Sequence, residues 1–92
     1  MTELVPSVSI VIPLRNEERH VGALLDALRA QTYRDRIVDI IFVDGMSTDQ
    51  TRQAISSYGA KMPSIRILDN PERIVPPAMN RGIRAARGDI VV

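Results

Sequence analysis

Apolar and polar positions along these 92 residues change period several times, and each change marks an element. Residues 8–14 form an almost continuous apolar run rich in β-branched side chains, interrupted only by Ser9 and ended around Pro13. Runs of this kind belong to strands covered on both faces. Asn16 stands where it can cap a following helix, with Glu17 and Glu18 in a first turn that complements the macrodipole. Val21, Leu24, Leu25 and Leu28 then recur at helical spacing and make one apolar stripe. A second apolar run over 39–43 predicts a second strand. Ser47 and Gln50 form a capping-box pair for a second helix. Its stripe is Thr51, Ala54, Ile55 and Tyr58, and Gly59 is placed to supply a left-handed C-cap. Residues 65–68 read as a short third strand. Pro76 and Pro77 suit the first turn of a third helix with the stripe Met79, Gly82, Ile83 and Ala86. Gly88 stops that helix, and 89–92 begin a fourth strand.

The order βαβαβαβ predicts an α/β domain: a Rossmann-like parallel sheet with right-handed crossovers and helices on both faces. The expected strand order is 3-2-1-4, with the topological switch point between strands one and four. No internal repeat or low-complexity linker divides the chain, so 1–92 is expected to be one unit. At this length a domain buries roughly 60–65% of its unfolded surface, enough for a small core. The short last strand predicts a piece of a larger sheet, and its bare edge is a template for pairing with a second copy of the chain.

Composition changes this picture little. The apolar fraction of 45% and charged fraction of 25% are those of an ordinary globular protein. Twelve basic and eleven acidic residues leave a net charge of +1, so no strong field recruits nucleic acid. From Lys61 onward the balance is locally basic, which suits an anionic ligand or a solvated helix face equally well. Without cysteine, disulfides, thiolate metal sites and a cysteine nucleophile are excluded. Neither a signal peptide nor an apolar run of about 20 residues is present, which points to a cytoplasmic chain.

The candidate chemistry lies where strands end. Asp44 closes the second strand, and a carboxylate there sits at the ligand-binding edge of an open α/β sheet. An ionised carboxylate only accepts hydrogen bonds, so it suits a base N–H or ribose hydroxyls better than phosphate. With Ser47 serving as the helix cap, Asp44 is expected to be free to face the crevice. The loop after strand one contains no glycine, which excludes the Gly-x-Gly-x-x-Gly pyrophosphate turn; it offers the side chains of Arg15 and Glu17 instead. Glu17 also suits the helix N-terminus, as does Asp49. Arg73, in the proline-rich loop after strand three, can meet a phosphate or a base. Asn80, one turn inside helix three, can hydrogen-bond the adjacent loops. Arg87-Gly88-Asp89 spells an adhesion tripeptide, but a helix end leading into a strand explains it. His20 has no second histidine or cysteine with which to bind a metal.

Three stretches carry a resemblance: Val8-Ser9-Ile10-Val11-Ile12-Pro13-Leu14-Arg15-Asn16-Glu17-Glu18, Ile41-Phe42-Val43-Asp44-Gly45-Met46-Ser47-Thr48-Asp49-Gln50-Thr51, and Ala78-Met79-Asn80-Arg81-Gly82-Ile83 continuing to Ala86-Arg87-Gly88-Asp89. Together they closely resemble the N-terminal half of family 2 glycosyltransferases, enzymes of the GT-A fold. The sequence from Ile74 to Val92 looks most like succinoglycan-type exopolysaccharide transferases. The resemblance implies a nucleotide-sugar donor, usually a UDP-sugar, and inversion at the anomeric carbon. It implies that Pro13 and Glu17 line a nucleoside pocket and that Asp44 holds the base; Arg15, Ser47, Arg73 and Asn80, read from their positions in the chain, complete the candidate nucleotide-binding set. Family members often have a second acidic residue directly after the aspartate; here Gly45 follows. The loop before helix three often brings an arginine to the base, and Ile74 stands at about that place with Arg73 beside it. An Asp-x-Asp pair just after strand four holds a divalent metal, Mg or Mn, in family members, and that pair is expected beyond Val92. The resemblance therefore implies no catalytic or metal-binding residue within these 92, and a full-length protein at the inner face of the membrane. The purified chain alone is expected to transfer no sugar, which a metal-supplemented transfer assay checks; turnover would contradict it.

Two other readings compete. A nucleotidyltransferase of related fold would need a Gly-rich basic loop after strand one. A receiver-like signalling module would use Asn16-Glu17-Glu18 as its acidic cluster and Asp69-Asn70 as its phosphoacceptor region.

Overall fold

The computed structural model describes residues 7–30, 37–60, 64–88 and 90–91. Its elements are β1 (Val8–Leu14), α1 (Val21–Arg29), β2 (Ile37–Asp44), α2 (Thr51–Gly59), β3 (Ile65–Asp69), α3 (Val75–Ala85) and the two-residue β4 (Ile90–Val91). Three parallel strands with their three helices form the body of the domain, with β2 between β1 and β3. β4 adds beside β1 through Val8↔Ile90 and Ser9↔Val91, so the sheet runs β3-β2-β1-β4. That order is not the 2-1-3 arrangement of flavodoxin-like receivers, which overturns the receiver reading.

Strand pleat divides the apolar positions between two cores. Ile40 and Phe42 of β2 face Val21, Leu25 and Leu28 of α1 and Ile55 of α2, with Ile10, Ile12, Ile65 and Ile67 from the neighbouring strands. Val11, Ile41 and Val43 point the other way and meet Ala78 of α3, flanked by Leu68, Met79 and Ala85. β2 therefore has to be apolar without alternation, and its positions 40–43 are all fully buried.

Several local expectations change. α1 begins at Val21 with His20 as its N-cap residue and no side-chain cap, because the Glu17 carbonyl accepts the N–H groups of His20 and Val21 and holds a separate turn. Asn16 is consequently not its cap. α2 starts one residue after Gln50, so Ser47 and Gln50 make no capping box. Gln50 is the N-cap residue and makes no side-chain cap; Asp49, just before it, accepts the Thr51 N–H at 2.9 Å. Gly59 has no left-handed conformation and is itself helical. In α3 the buried positions are Ala78 and Gly82, whereas Ile83 is half exposed. Small residues line this helix because it lies close to β1: a Cβ on Gly82 would fall 2.1 Å from Val11 Cγ1.

Gly88 shows the same constraint more severely. A Cβ there would sit 2.7 Å from the Ser9 backbone nitrogen and 2.8 Å from the Val8 carbonyl carbon. Its own N–H donates to Ser9 Oγ at 2.7 Å, and the neighbouring Arg87 N–H donates to the buried Asp39 carboxylate at 2.9 Å. Arg87 and Gly88 of the Arg-Gly-Asp tripeptide are thus occupied in joining α3 to the sheet, and Asp89 lies outside the described residues. Gly88→Ala is expected to cost about 2 kcal/mol, since the obstruction is backbone and cannot rotate away. A urea titration against the parent chain measures it.

Candidate functional site

Backbone strain gathers at the end of the sheet where the strands stop. Each of the three strand-to-helix loops holds one non-glycine residue with positive φ: Asn16 at 54°, Met46 at 61° and Arg73 at 63°. Such conformations cost on the order of 1 kcal/mol each and persist only where surrounding contacts enforce them. The turn that follows Asp44 uses Met46 as its left-handed residue, not Gly45. Gly45 instead provides close approach: its N–H donates to the Leu14 carbonyl at 2.8 Å, and its carbonyl accepts Arg15 Nε–H at 2.9 Å.

The first two loops are laced together throughout. Asn16 N–H donates to Ser47 Oγ at 2.9 Å, and Asn16 Oδ1 accepts the Thr48 N–H at 2.8 Å. Glu17 N–H donates to Thr51 Oγ1 at 2.9 Å, and Glu18 N–H to Asp49 Oδ2 at 3.3 Å. Asp49 thereby ties the first residue of α2 to the first loop. The Thr51 hydroxyl is the main reason its carboxyl is held below the ordinary range. Glu72 is likewise held low, chiefly by Arg81. As pH falls the unfolded chain takes up these protons before the folded one does. The stabilisation is therefore complete above about pH 5 and is lost as pH drops through and below the carboxylate range. Urea midpoints measured across the acid limb should decline, and Asp49→Asn should shrink that decline.

Asp44 is not free. Its side chain is fully buried, and both oxygens accept the Ser47 N–H at 3.2–3.3 Å. Ser47 Oγ donates to Oδ1 at 2.5 Å, and Arg52 Nη1 donates to Oδ2 at 3.0 Å. Ser47 therefore serves the Asp44 turn and not the helix end, which corrects the expectation of an open carboxylate. Arg52 also pairs with Asp69 at 2.5 Å, because the parallel register places Asp44 beside Asp69 at the ends of β2 and β3. Arg52 was not singled out from the sequence. The signal for it is two adjacent strands both ending in aspartate, an arrangement that calls for a cation between them.

The hollows at this edge sort the remaining candidates. One of about 120 Å³ is lined by Pro13, Leu14, Arg15, Val43, Asn70, Arg73, Ile74, Val75 and Ala78. It brings Pro13, Arg15 and Arg73 together, with Val43 and not Asp44 in its wall. Glu17 lies elsewhere, in a hollow of about 200 Å³ with Ile12, His20, Val21 and Leu24. Pro13 and Leu14 line both and form the ridge between them. Asn80 lies apart on exposed α3 with Glu72, Pro77, Arg81 and Arg84. Asn70, named from the sequence only beside Asp69 in the receiver reading, is 2% exposed and ties the third loop in, its N–H donating to the Asp44 carbonyl at 2.8 Å.

A model of glycosyl transferase family 2 matches residues 9–92. The chain belongs to that family. Among curated relatives of this family 2 domain, the succinoglycan biosynthesis protein ExoA of Rhizobium meliloti is 38% identical over 74 residues, covering 80% of this chain and 22% of that protein. Among solved structures, the mannosyltransferase PcManGT of Pyrobaculum calidifontis, in complex with GDP-Man and Mn2+, superposes with a TM-score of 0.84 at 31% identity, covering 94% of this chain and 26% of the other. Glucosyl-3-phosphoglycerate synthase of Mycobacterium tuberculosis, in complex with Mn2+, UDP and glucosyl-3-phosphoglycerate, gives 0.70 at 28% identity over 94% and 32% of the two chains. The family 2 region described here thus spans about a quarter of the curated relatives it matches. Both of those structures hold Mn2+, and the residues described here do not fit that ion. No group of three or more His, Cys, Asp or Glu stands together among the described residues. The two carboxylates nearest the strand ends, Asp44 and Asp69, already share the Arg52 cation. No helix among the described residues is long and apolar enough to cross a membrane.

Proposed function

We propose that residues 1–92 supply the N-terminal, nucleotide-sugar-binding half of an inverting glycosyltransferase. The donor in this reading is a nucleoside-diphosphate sugar, a UDP-sugar by preference, and the acceptor a polysaccharide or lipid-linked glycan. The observation that carries it is the hollow at the C-terminal strand edge, where Pro13, Arg15 and Arg73 converge in a chain of this family. Its apolar floor suits a base, and its two arginines suit the base edge or the diphosphate. Asp44 and Ser47 support this pocket by fixing the second loop. Glu17, across the Pro13–Leu14 ridge, is placed for a ribose or sugar extending over that ridge. Asn80 steadies the outer face of α3. A divalent metal, Mg or Mn, belongs at the diphosphate, held by groups other than those described. The reaction would run in the cytoplasm, with the whole protein at the inner membrane face.

Saturation-transfer NMR with UDP, GDP, CDP and ADP tests the reading. Base protons of UDP are expected to saturate more strongly than its ribose protons. Equal saturation throughout, or none for any nucleotide, would remove the pocket from consideration.

A further inference from the structure

One stretch of the surface departs from the rest in both charge and apolar exposure. Residues 73–88 contain Arg73, Arg81, Arg84 and Arg87 and no acidic residue, although basic and acidic residues nearly balance over the whole chain. The remainder of the chain is therefore net acidic, and the positive charge collects along α3. The same stretch holds Ile74, Val75 and Ile83, which with Met46 are the large apolar side chains exposed among the described residues. Scattered singly such side chains need no explanation, but gathered beside cations they mark an interaction surface.

Helical spacing explains how they come together. Ala78 and Gly82 are buried against the sheet, which turns Asn80, Ile83 and Arg84 outward, and all three are exposed. Ile74 and Val75 stand ahead of this face at the mouth of the hollow, and the exposed Arg87 follows it two residues after the helix ends. Arg81 pairs with Glu72 at 2.9 Å, whereas the Arg84 and Arg87 side chains enter no ion pair among the described residues.

We propose that this outer side of α3 docks flat on the anionic headgroups of a lipid bilayer. Ile74, Val75 and Ile83 enter the interface, and Arg84 and Arg87 meet the lipid phosphates. Helices bind such a surface through buried apolar area and attraction of cations to anionic lipid together, and this face offers both. Nucleic acid also offers phosphates, but it has no apolar layer to receive the aliphatic side chains, and residues 73–88 contain no aromatic ring to stack on a base. The inference stands independently of the nucleotide reading. It sets the mouth of the hollow toward the surface that carries a lipid-linked acceptor.

Flotation of the purified chain with unilamellar vesicles tests it, without nucleotide. The chain is expected to float with phosphatidylcholine mixed with phosphatidylglycerol, to stay behind with phosphatidylcholine alone, and to be released as salt is raised. Arg84→Glu is expected to weaken partition about tenfold and Ile83→Ser about threefold. Arg19→Glu makes the same change of net charge at an exposed position next to α1, on the opposite face of the sheet, and is expected to weaken it less than about twofold. The chain contains no tryptophan, so Ile83→Trp supplies a single fluorophore, whose emission is expected to shift to the blue with the mixed vesicles. Failure to float with the mixed vesicles overturns the proposal, as does an equal loss in Arg84→Glu and Arg19→Glu. Binding that Ile83→Ser leaves intact, with no blue shift at position 83, also overturns it and marks a purely ionic contact of the kind an acidic protein surface makes.

Discussion

Replacing Phe42 by alanine is expected to remove a large share of the chain's stability. Phe42 is fully buried at the centre of the larger core, between two helices and flanked by strand residues on either side. Removing a buried phenylalanine side chain costs about 3–5 kcal/mol, the lost transfer energy plus the cavity left behind. A domain of this size has a total stability of only about 5–14 kcal/mol. The neighbours cannot close the gap, because Val21, Leu25 and Ile55 are each held by their own helix and Ile40 by the sheet register. Phe42→Leu keeps most of the volume and should cost under about 1.5 kcal/mol. Urea unfolding followed by far-ultraviolet circular dichroism distinguishes the two. An alanine variant as stable as the leucine variant would mean that the core is not centred on this side chain.

Asp44→Ala is the second large effect, and it reaches the site as well as the fold. The carboxylate organises three donors: the Ser47 N–H, the Ser47 hydroxyl and the Arg52 guanidinium. Its loss leaves a buried turn with no acceptor and Arg52 with only Asp69. Arg52 is partly exposed and retains that partner, which moderates the penalty, so the expected cost is about 2–3 kcal/mol. The consequence should spread along the lacing, because Ser47 Oγ also accepts the Asn16 N–H from the first loop. Amide resonances of Asn16 and Thr48 are therefore expected to move in Asp44→Ala, together with those of Ser47. A variant with unchanged stability and shifts confined to residues 43–45 would show that the turn holds without its carboxylate.

The sheet was legible because its logic is repetitive. Apolar runs at 8–14, 39–43 and 65–68 had to be strands, and three helical stripes between them left the parallel order 3-2-1 as the natural arrangement. Helix entry points were less legible. Asn16 and Ser47 are both good cap residues on local grounds, yet Asn16 is drawn to the second loop and Ser47 to the Asp44 carboxylate, preferences that spacing along one segment cannot reveal. Gly59 read as a left-handed position, whereas Asn16, Met46 and Arg73 are the residues that adopt that conformation. Gly82 and Gly88 matter through close approach to β1, which depends on the crossing of α3.

The site followed the same division. The candidate site was expected at the ends of β1, β2 and β3 from Asp44 and the glycine-free first loop. The grouping was not. Glu17 fell on the far side of the Pro13–Leu14 ridge, Asn80 on an outer face, and Asp44 behind Arg52. Arg52 and Asn70 emerged only once the register paired Asp44 with Asp69 and the third loop folded back on β2.

The central claim is that a nucleotide seats at the C-terminal strand edge, between the first and third loops. Chemical-shift mapping of the isotope-labelled chain with UDP and with GDP tests it most directly. The account predicts that at least one of them moves the amides of Leu14, Arg15, Asn70 and Arg73 and leaves those of Asp39, Arg87 and Gly88 at the opposite edge unchanged. Shifts centred on Asp39, Arg87 and Gly88, or no shifts with either nucleotide, would contradict it.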